Sequence, residues 1–191
     1  MDKETEEDGY LNGKLLLAMP GLEDPRFNKS VLYIFTHNKD GAMGIVINQP
    51  INAVNFEDLA EQMSIDLKKV KVDIPVLFGG PMELSRGFVL HSSDYIKDET
   101  ILTKDGLAVT GTIDILKDIV SGKGPKNRLF ALGYAGWGPG QLEEEIQSNS
   151  WAMVEADKNL IFNIDLNRKW NGAFAKLGID PALISSTHGN A

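Results

Sequence analysis

Two short segments of this 191-residue chain concentrate residue types capable of chemistry. The first is Gly133-Tyr134-Ala135-Gly136-Trp137-Gly138-Pro139-Gly140-Gln141, running into Leu142-Glu143-Glu144-Glu145. A glycine-rich loop that opens a helix can aim backbone N–H groups at an anion. The phosphate-binding loop, however, ends in Lys-Ser/Thr, whereas this one ends in Gln-Leu. The dinucleotide fingerprint fails too, because after Gly136 and Gly138 the third glycine, Gly140, comes one position early. Three glutamates suit the positive end of a helix dipole and would repel a phosphate there. Nucleotide binding is therefore not expected. Tyr134, Gly136, Trp137, Gln141 and Glu143 are candidates for one wall of a ligand groove; the plainer reading is a tight loop with Trp137 packed on the body.

The second segment is Phe78-Gly79-Gly80-Pro81, followed by Arg86-Gly87-Phe88-Val89-Leu90-His91. A strand ending in Gly79-Gly80-Pro81 leaves backbone open at a sheet edge. Arg86 offers a planar fork to a carboxylate or phosphate, or pairs with one of the chain's many acids. His91 at a strand end is a candidate base, or it satisfies a nearby backbone group. Together these residues outline a conjectural groove at Arg86 and Tyr134–Gln141.

Other chemistries lack a signature. There is no cysteine, which removes disulfides, thiolate metal sites and cysteine nucleophiles together. His37, His91 and His188 are too far apart in sequence to share a helix face, so no metal site is expected. No Gly-x-Ser-x-Gly elbow occurs, and Ser30, Ser85, Ser92 and Ser93 sit in turn-like contexts. Carboxylate pairs exist at Glu23-Asp24 and at Glu143 with Glu145, but acid–base work needs two carboxylates in different environments facing one substrate. No cofactor is expected.

The elements that must position these residues follow from hydrophobic periodicity. Apolar runs at Leu15–Met19, Val31–Phe35, Met43–Ile47, Val76–Phe78, Phe88–Leu90, Leu129–Leu132, Trp151–Val154 and Leu160–Phe162 read as strands. Asp40-Gly41 predicts a hairpin between the second and third, and Asp105-Gly106 another between Ile101–Thr103 and Leu107–Val109. Four helices are expected. One carries Phe56, Leu59, Ala60 and Met63 behind an Asn55 cap, and one covers Thr112–Val120 before Gly122. A third opens at Pro139-Gly140-Gln141, and a fourth carries Trp170, Ala173, Phe174 and Leu177 before Gly178. Asp180-Pro181 reads as a cap followed by the first residue of a short terminal helix. With hairpins and helical crossovers in one chain the sheet should be mixed.

Composition bounds the rest. The length suits one domain, expected over residues 10–191 behind an acidic tail at 1–9 that is expected to be disordered. The formal net charge is −8. Basic residues gather only at Lys68, Lys69 and Lys71 and at Lys123, Lys126 and Arg128, so nucleic acid is not an expected partner. The polar N-terminus is no signal peptide and no apolar run is long enough for a membrane span, which points to the cytoplasm.

The ordered set of short motifs resembles the YqgE/AlgH family of small bacterial proteins. The set comprises Ala18-Met19-Pro20, Asp24-Pro25-x-Phe27, Ser30-Val31, His37-Asn38, Gly41–Asn48, Gly79-Gly80-Pro81, Arg86–His91, Leu132–Trp137 and Gly140–Glu143. The resemblance runs from about Leu15 to the C-terminus. It implies an α/β (α+β) single domain with a mixed, bifurcated sheet curled toward a pseudo-barrel and flanked by about four helices. It implies no reaction, because the family is largely uncharacterised. Gly189-Asn190-Ala191 departs from the Gly-His-Ala expected in many relatives, so no chemistry is placed at the C-terminus.

Three functions are open at this point. The first is a non-enzymatic binding or regulatory module for an unknown small molecule or protein partner. The second is a hydrolase or lyase using Glu143 or His91 with Arg86 as electrostatic partner. The third, the weakest, is a transcription-associated regulator, for which no helix-turn-helix with a basic second helix is present.

Overall fold

A computed structural model describes residues 9–67 and 72–184. The first eight residues of the expected tail, Lys68, Lys69 and Lys71, His188 and the Gly189–Ala191 terminus lie outside the described residues.

In chain order the strands are β1 (Lys14–Ala18), β2 (Val31–Asn38), β3 (Gly41–Val46), β4 (Val76–Phe78), β5 (Met82–Ser92), β6 (Ile101–Leu102), β7 (Leu107–Thr110), β8 (Arg128–Trp137) and β9 (Trp151–Glu155). The helices are α1 (Phe56–Gln62), α2 (Ile113–Val120), α3 (Gln141–Gln147), α4 (Lys158–Phe162) and α5 (Lys169–Lys176). Both expected hairpins form, β2 with β3 and β6 with β7. Gly41 at φ +135° and Gly106 at φ +78° supply their turns.

The strands join in the order β6-β7-β5-β8-β3-β2-β1-β9, each neighbour antiparallel, and β4 adds one parallel pairing to β8. The sheet is therefore mixed, and it forks. One edge of β8 is shared: β4 runs beside Phe130–Leu132, and β3 runs beside Ala135–Trp137. At the fork the Val46 N–H donates to the Gly79 carbonyl, and the Gly79 N–H donates to the Leu132 carbonyl. The sheet also curls, bringing the Tyr33 hydroxyl of β2 to Thr103 (2.6 Å) and Asp105 (2.9 Å) in the distant β6–β7 turn. It does not close into a barrel, since β6 and β9 remain its two ends.

Burial explains the continuous apolar runs. In β1, Leu15 and Leu17 face a core with Tyr33, Phe35, Leu90 and Phe174. Leu16 faces the other side, with Leu32, Ile34, Val46 and Trp137. A strand covered on both faces has no polar face to show. A third cluster lies under α1 and α2, around Phe56, Val89, Leu116 and Phe130.

One expected strand is a helix. Leu160–Phe162 belongs to α4, which makes five α-helices among the described residues where four were expected. Asp157 caps its start by accepting from the Leu160 N–H (2.9 Å). Two of its carbonyls, of Leu160 and Ile161, and that of Ile164 just beyond it accept from the buried Lys169 ammonium. An apolar run of three carries no period that separates strand from helix.

Candidate functional site

The glycine-rich segments meet at the fork. Gly133–Trp137 is the end of strand β8, so the expected loop is mostly strand. Gly80 has φ +154°, and a Cβ there would stand 2.1 Å from the Tyr134 carbonyl carbon. Gly133, at φ +75°, would place a Cβ 2.4 Å from the Gly80 carbonyl oxygen. The two motifs are thus the two sides of one backbone crossing that only glycine allows. Pro81 turns the chain out of this crossing into β5.

Strand alternation then divides the candidate residues. Tyr134 points to the first core, its ring edge-on to Phe88 at 5.7 Å. Burial, with the Glu83 carboxylate nearby, raises its phenol above the ordinary range. Arg86 stands with it, half-exposed, its guanidinium 4.9 Å over Phe88 and 3.7 Å from Glu83. Trp137 points to the opposite face. The structure therefore places Arg86 and Tyr134 away from the wall that Trp137 and Gln141 form.

His91 and Glu143 have neighbourhoods of their own. His91 is fully buried, with Nδ1 2.9 Å from the Ser92 carbonyl and Nε2 2.8 Å from the Thr110 hydroxyl. A carbonyl only accepts, so Nδ1 carries the proton and Nε2 accepts from Thr110. Burial holds its pKa below the ordinary histidine value. Glu143 accepts from His37 Nε2 at 2.9 Å, while His37 Nδ1 accepts from the Leu11 N–H at 3.0 Å. That pair ties the segment at Leu11 to α3.

Trp137, Gln141, Gly136 and Pro81 do share a site. They line a groove of about 640 Å³ with the Asp24–Phe27 turn and Trp151. Glu145 organises it. Its Oε2 accepts from both indoles, Trp137 at 2.9 Å and Trp151 at 2.8 Å, and its Oε1 accepts from the Gln141 amide at 3.1 Å. Gln141 in turn accepts from the Gly138 N–H (3.0 Å), which fixes the entry to α3. The indoles stand edge-to-face at 6.2 Å, and Phe27 packs edge-on to Trp151 at 5.6 Å. Opposite, Arg26 forks onto Asp24, Nη2 to Oδ2 at 2.7 Å and Nε to Oδ1 at 3.0 Å. The Arg26 hydrogen bonds hold the Asp24 carboxyl below the usual carboxylate range. Among the described residues no group of three or more His, Asp or Glu is arranged to hold a metal ion.

A family model, DUF179, described as AlgH-like, matches residues 15–182. The chain belongs to the AlgH-like family. A UPF0301 protein of Rhodopseudomonas palustris (strain HaA2) is 49% identical over 194 residues, covering 97% of this AlgH-like chain and 89% of that protein. A UPF0301 protein of Jannaschia sp. (strain CCS1) is 48% identical, covering 95% of each chain. Among solved structures, the AlgH protein from Pseudomonas aeruginosa has a TM-score of 0.76 at 36% identity, with 100% of both chains covered. Protein DIP2367 of Corynebacterium diphtheriae shares the fold, with a TM-score of 0.68 at 18% identity over 87% of this chain and 86% of that one. The curated relatives carry no assigned activity in their names.

Sequence reasoning missed three parts of this AlgH-like groove: Glu145, Trp151 and the Asp24–Arg26 pair. Glu145 read as one of three acids at a helix start, and only its register on α3 picks it out. Trp151 read as a strand residue. Asp24 was visible as half of a carboxylate pair and within the family motif Asp24-Pro25-x-Phe27, but its pairing with Arg26 was not. Among the described residues no helix is long and apolar enough to cross a membrane.

Proposed function

We propose that this chain is a non-enzymatic binding module. Its ligand carries an amine or guanidinium and seats in the groove between the Asp24–Phe27 turn and Trp137–Gln141. One observation carries the reading. Three carboxylates, Glu23, Asp24 and Glu145, and a single cation, Arg26, line a groove walled by Phe27, Trp137 and Trp151. Aromatic faces and carboxylates together favour a cation, through ring quadrupoles and charge-assisted hydrogen bonds. The volume lies within the range of about 300–1,000 Å³ usual for small-molecule sites. Of the groups available to a hydrolase, His91 is buried with both ring nitrogens engaged, and Glu143 holds His37. No observation favours that chemistry over binding.

The test uses the indoles themselves. Spermidine and an arginine-containing tripeptide are titrated into the protein while tryptophan fluorescence is followed, with citrate as the anionic control. The cationic probes should change the emission saturably, and the double variant Glu23→Gln/Asp24→Asn should weaken them at least tenfold. A flat response to every cationic probe, or equal affinity in the double variant, would sink the proposal.

A further inference from the structure

We propose that the slot between α1, α2 and the face of β5 and β8 beneath them is a second, independent ligand site, and that it takes a small apolar carboxylate. The slot has a volume of about 390 Å³. Leu59 and Met63 of α1, Val89 of β5, Leu116 of α2, and Phe130 and Leu132 of β8 line it. Val89, Leu116 and Phe130 are buried, so the floor belongs to the core cluster under the two helices. Gly87 lets that floor lie close to the strand, since a Cβ there would meet the Phe130 ring at 2.6 Å. An apolar body entering the slot extends this core and is stabilised by the area it removes from water.

The rim supplies the head-group chemistry. Among the described residues Arg86 is the only charged one in the lining of the slot, and it is a cation in a chain of net charge −8. Its Nη2 lies 3.5 Å from where a Cβ on Gly111 would stand, and Gly111 itself lines the slot, so the guanidinium sits at the mouth. Its ion-pair partner Glu83 is 3.7 Å away, beyond hydrogen-bonding distance, which leaves the planar fork open to a ligand. Beside it the Thr112 hydroxyl makes no capping hydrogen bond to α2. Ser85 and Gln62 add an exposed hydroxyl and amide to the rim. An apolar interior with one cation and several neutral donors at the mouth is complementary to a monoanion with a hydrocarbon or aromatic body. A polyanion would find a single positive charge, and a second cation would be repelled.

This site shares no lining residue with the groove of Trp137 and Trp151, so the two proposals stand or fall separately. Octanoate and the neutral octanamide are titrated into the ¹⁵N-labelled full chain and followed by amide chemical shifts. Octanoate should move the resonances of Leu59, Met63, Gly111 and Leu116 saturably and leave the emission of Trp137 and Trp151 unchanged. Arg86→Gln should weaken octanoate about tenfold or more, as loss of a charge-assisted hydrogen bond does, with octanamide unaffected. Leu116→Trp fills the slot and should abolish both. Equal affinity for octanoate and octanamide would overturn the anionic head group. Shifts that map elsewhere, or binding that survives Leu116→Trp, would overturn the location, and no saturable response to octanoate would overturn the site. If Leu116→Trp does not fold, the wild-type shift map and Arg86→Gln decide.

Discussion

Removing the Glu145 carboxylate should destabilise the protein through two indoles at once. Trp137 and Trp151 are only 8% and 4% exposed, and both N–H groups end on the same oxygen. A hydrogen bond to a charged group contributes about 1.5–3 kcal/mol net, and a buried donor left without a partner costs about 1–3 kcal/mol. The groove lets water reach part of the vacated space in Glu145→Ala, so the expected loss is at the lower end, about 2–4 kcal/mol for the pair. For a domain of this length each kcal/mol lowers Tm by about 2–4 °C, which gives a fall of roughly 5–15 °C. Differential scanning calorimetry measures that fall. Near-UV circular dichroism, to which the coupled indoles contribute, should change in the same variant. Glu145→Gln keeps an acceptor oxygen without the charge and should lose about half as much. A Glu145→Ala protein within about 0.5 kcal/mol of the parent, the range of an ordinary surface substitution, would refute the account of Glu145 as the organiser of this wall.

Two further predictions concern pH. Burial holds the His91 pKa below its ordinary value, so below about 6.5 the unfolded chain binds the proton first and stability falls as pH falls through that window. His91→Gln should flatten the dependence of the urea midpoint between pH 7.5 and 5, and an unchanged slope would show that His91 does not carry it. Burial likewise pushes the Lys169 ammonium down to about 8 from 10.5. The folded state therefore releases this proton before the unfolded chain does, and stability should rise as pH rises from about 8 toward 10.5. Lys169→Met should remove that rise while leaving the carbonyls of Leu160, Ile161 and Ile164 without this donor; a rise that survives in the variant counts against the assignment.

The sequence carried the strands well because most are buried on both faces or joined by Asp-Gly turns. Leu15–Met19, stopped by Pro20-Gly21, and Val31–Phe35, rich in β-branched and aromatic residues, could hardly be anything else. What it carried poorly was position relative to the sheet. Tyr134 and Trp137 are three residues apart, which in a loop permits one wall but in a strand commits them to opposite faces. Reading Gly133–Trp137 as a loop therefore merged two neighbourhoods into one groove. The glycines gave no warning, because a backbone crossing and a ligand-binding loop ask for the same residue. Leu160–Phe162 failed for a different reason. Its helix depends on a capping aspartate on one side and a lysine nine residues further on, and neither shows in an apolar triplet.

The motif residues can now be separated by what the fold already demands of them. Gly79, Gly80 and Gly133 are needed for two backbones to pass, and Glu145 is needed by two buried indole N–H groups; all would be required in a protein that bound nothing. The Asp24–Arg26 pair is different. Arg26 is exposed, its partner is two residues away, and such surface ion pairs add little to stability. Asp24 also accepts from the Arg26 N–H at the start of a single 3₁₀ turn, a task that serine or asparagine performs as well. Folding thus gives little reason for a bidentate arginine–aspartate fork facing a wall of indoles. A function located at the groove does give one. The fork presents a preorganised charged edge opposite the aromatic wall, and on the function proposed above a ligand bearing an amine or guanidinium competes with Arg26 for Asp24.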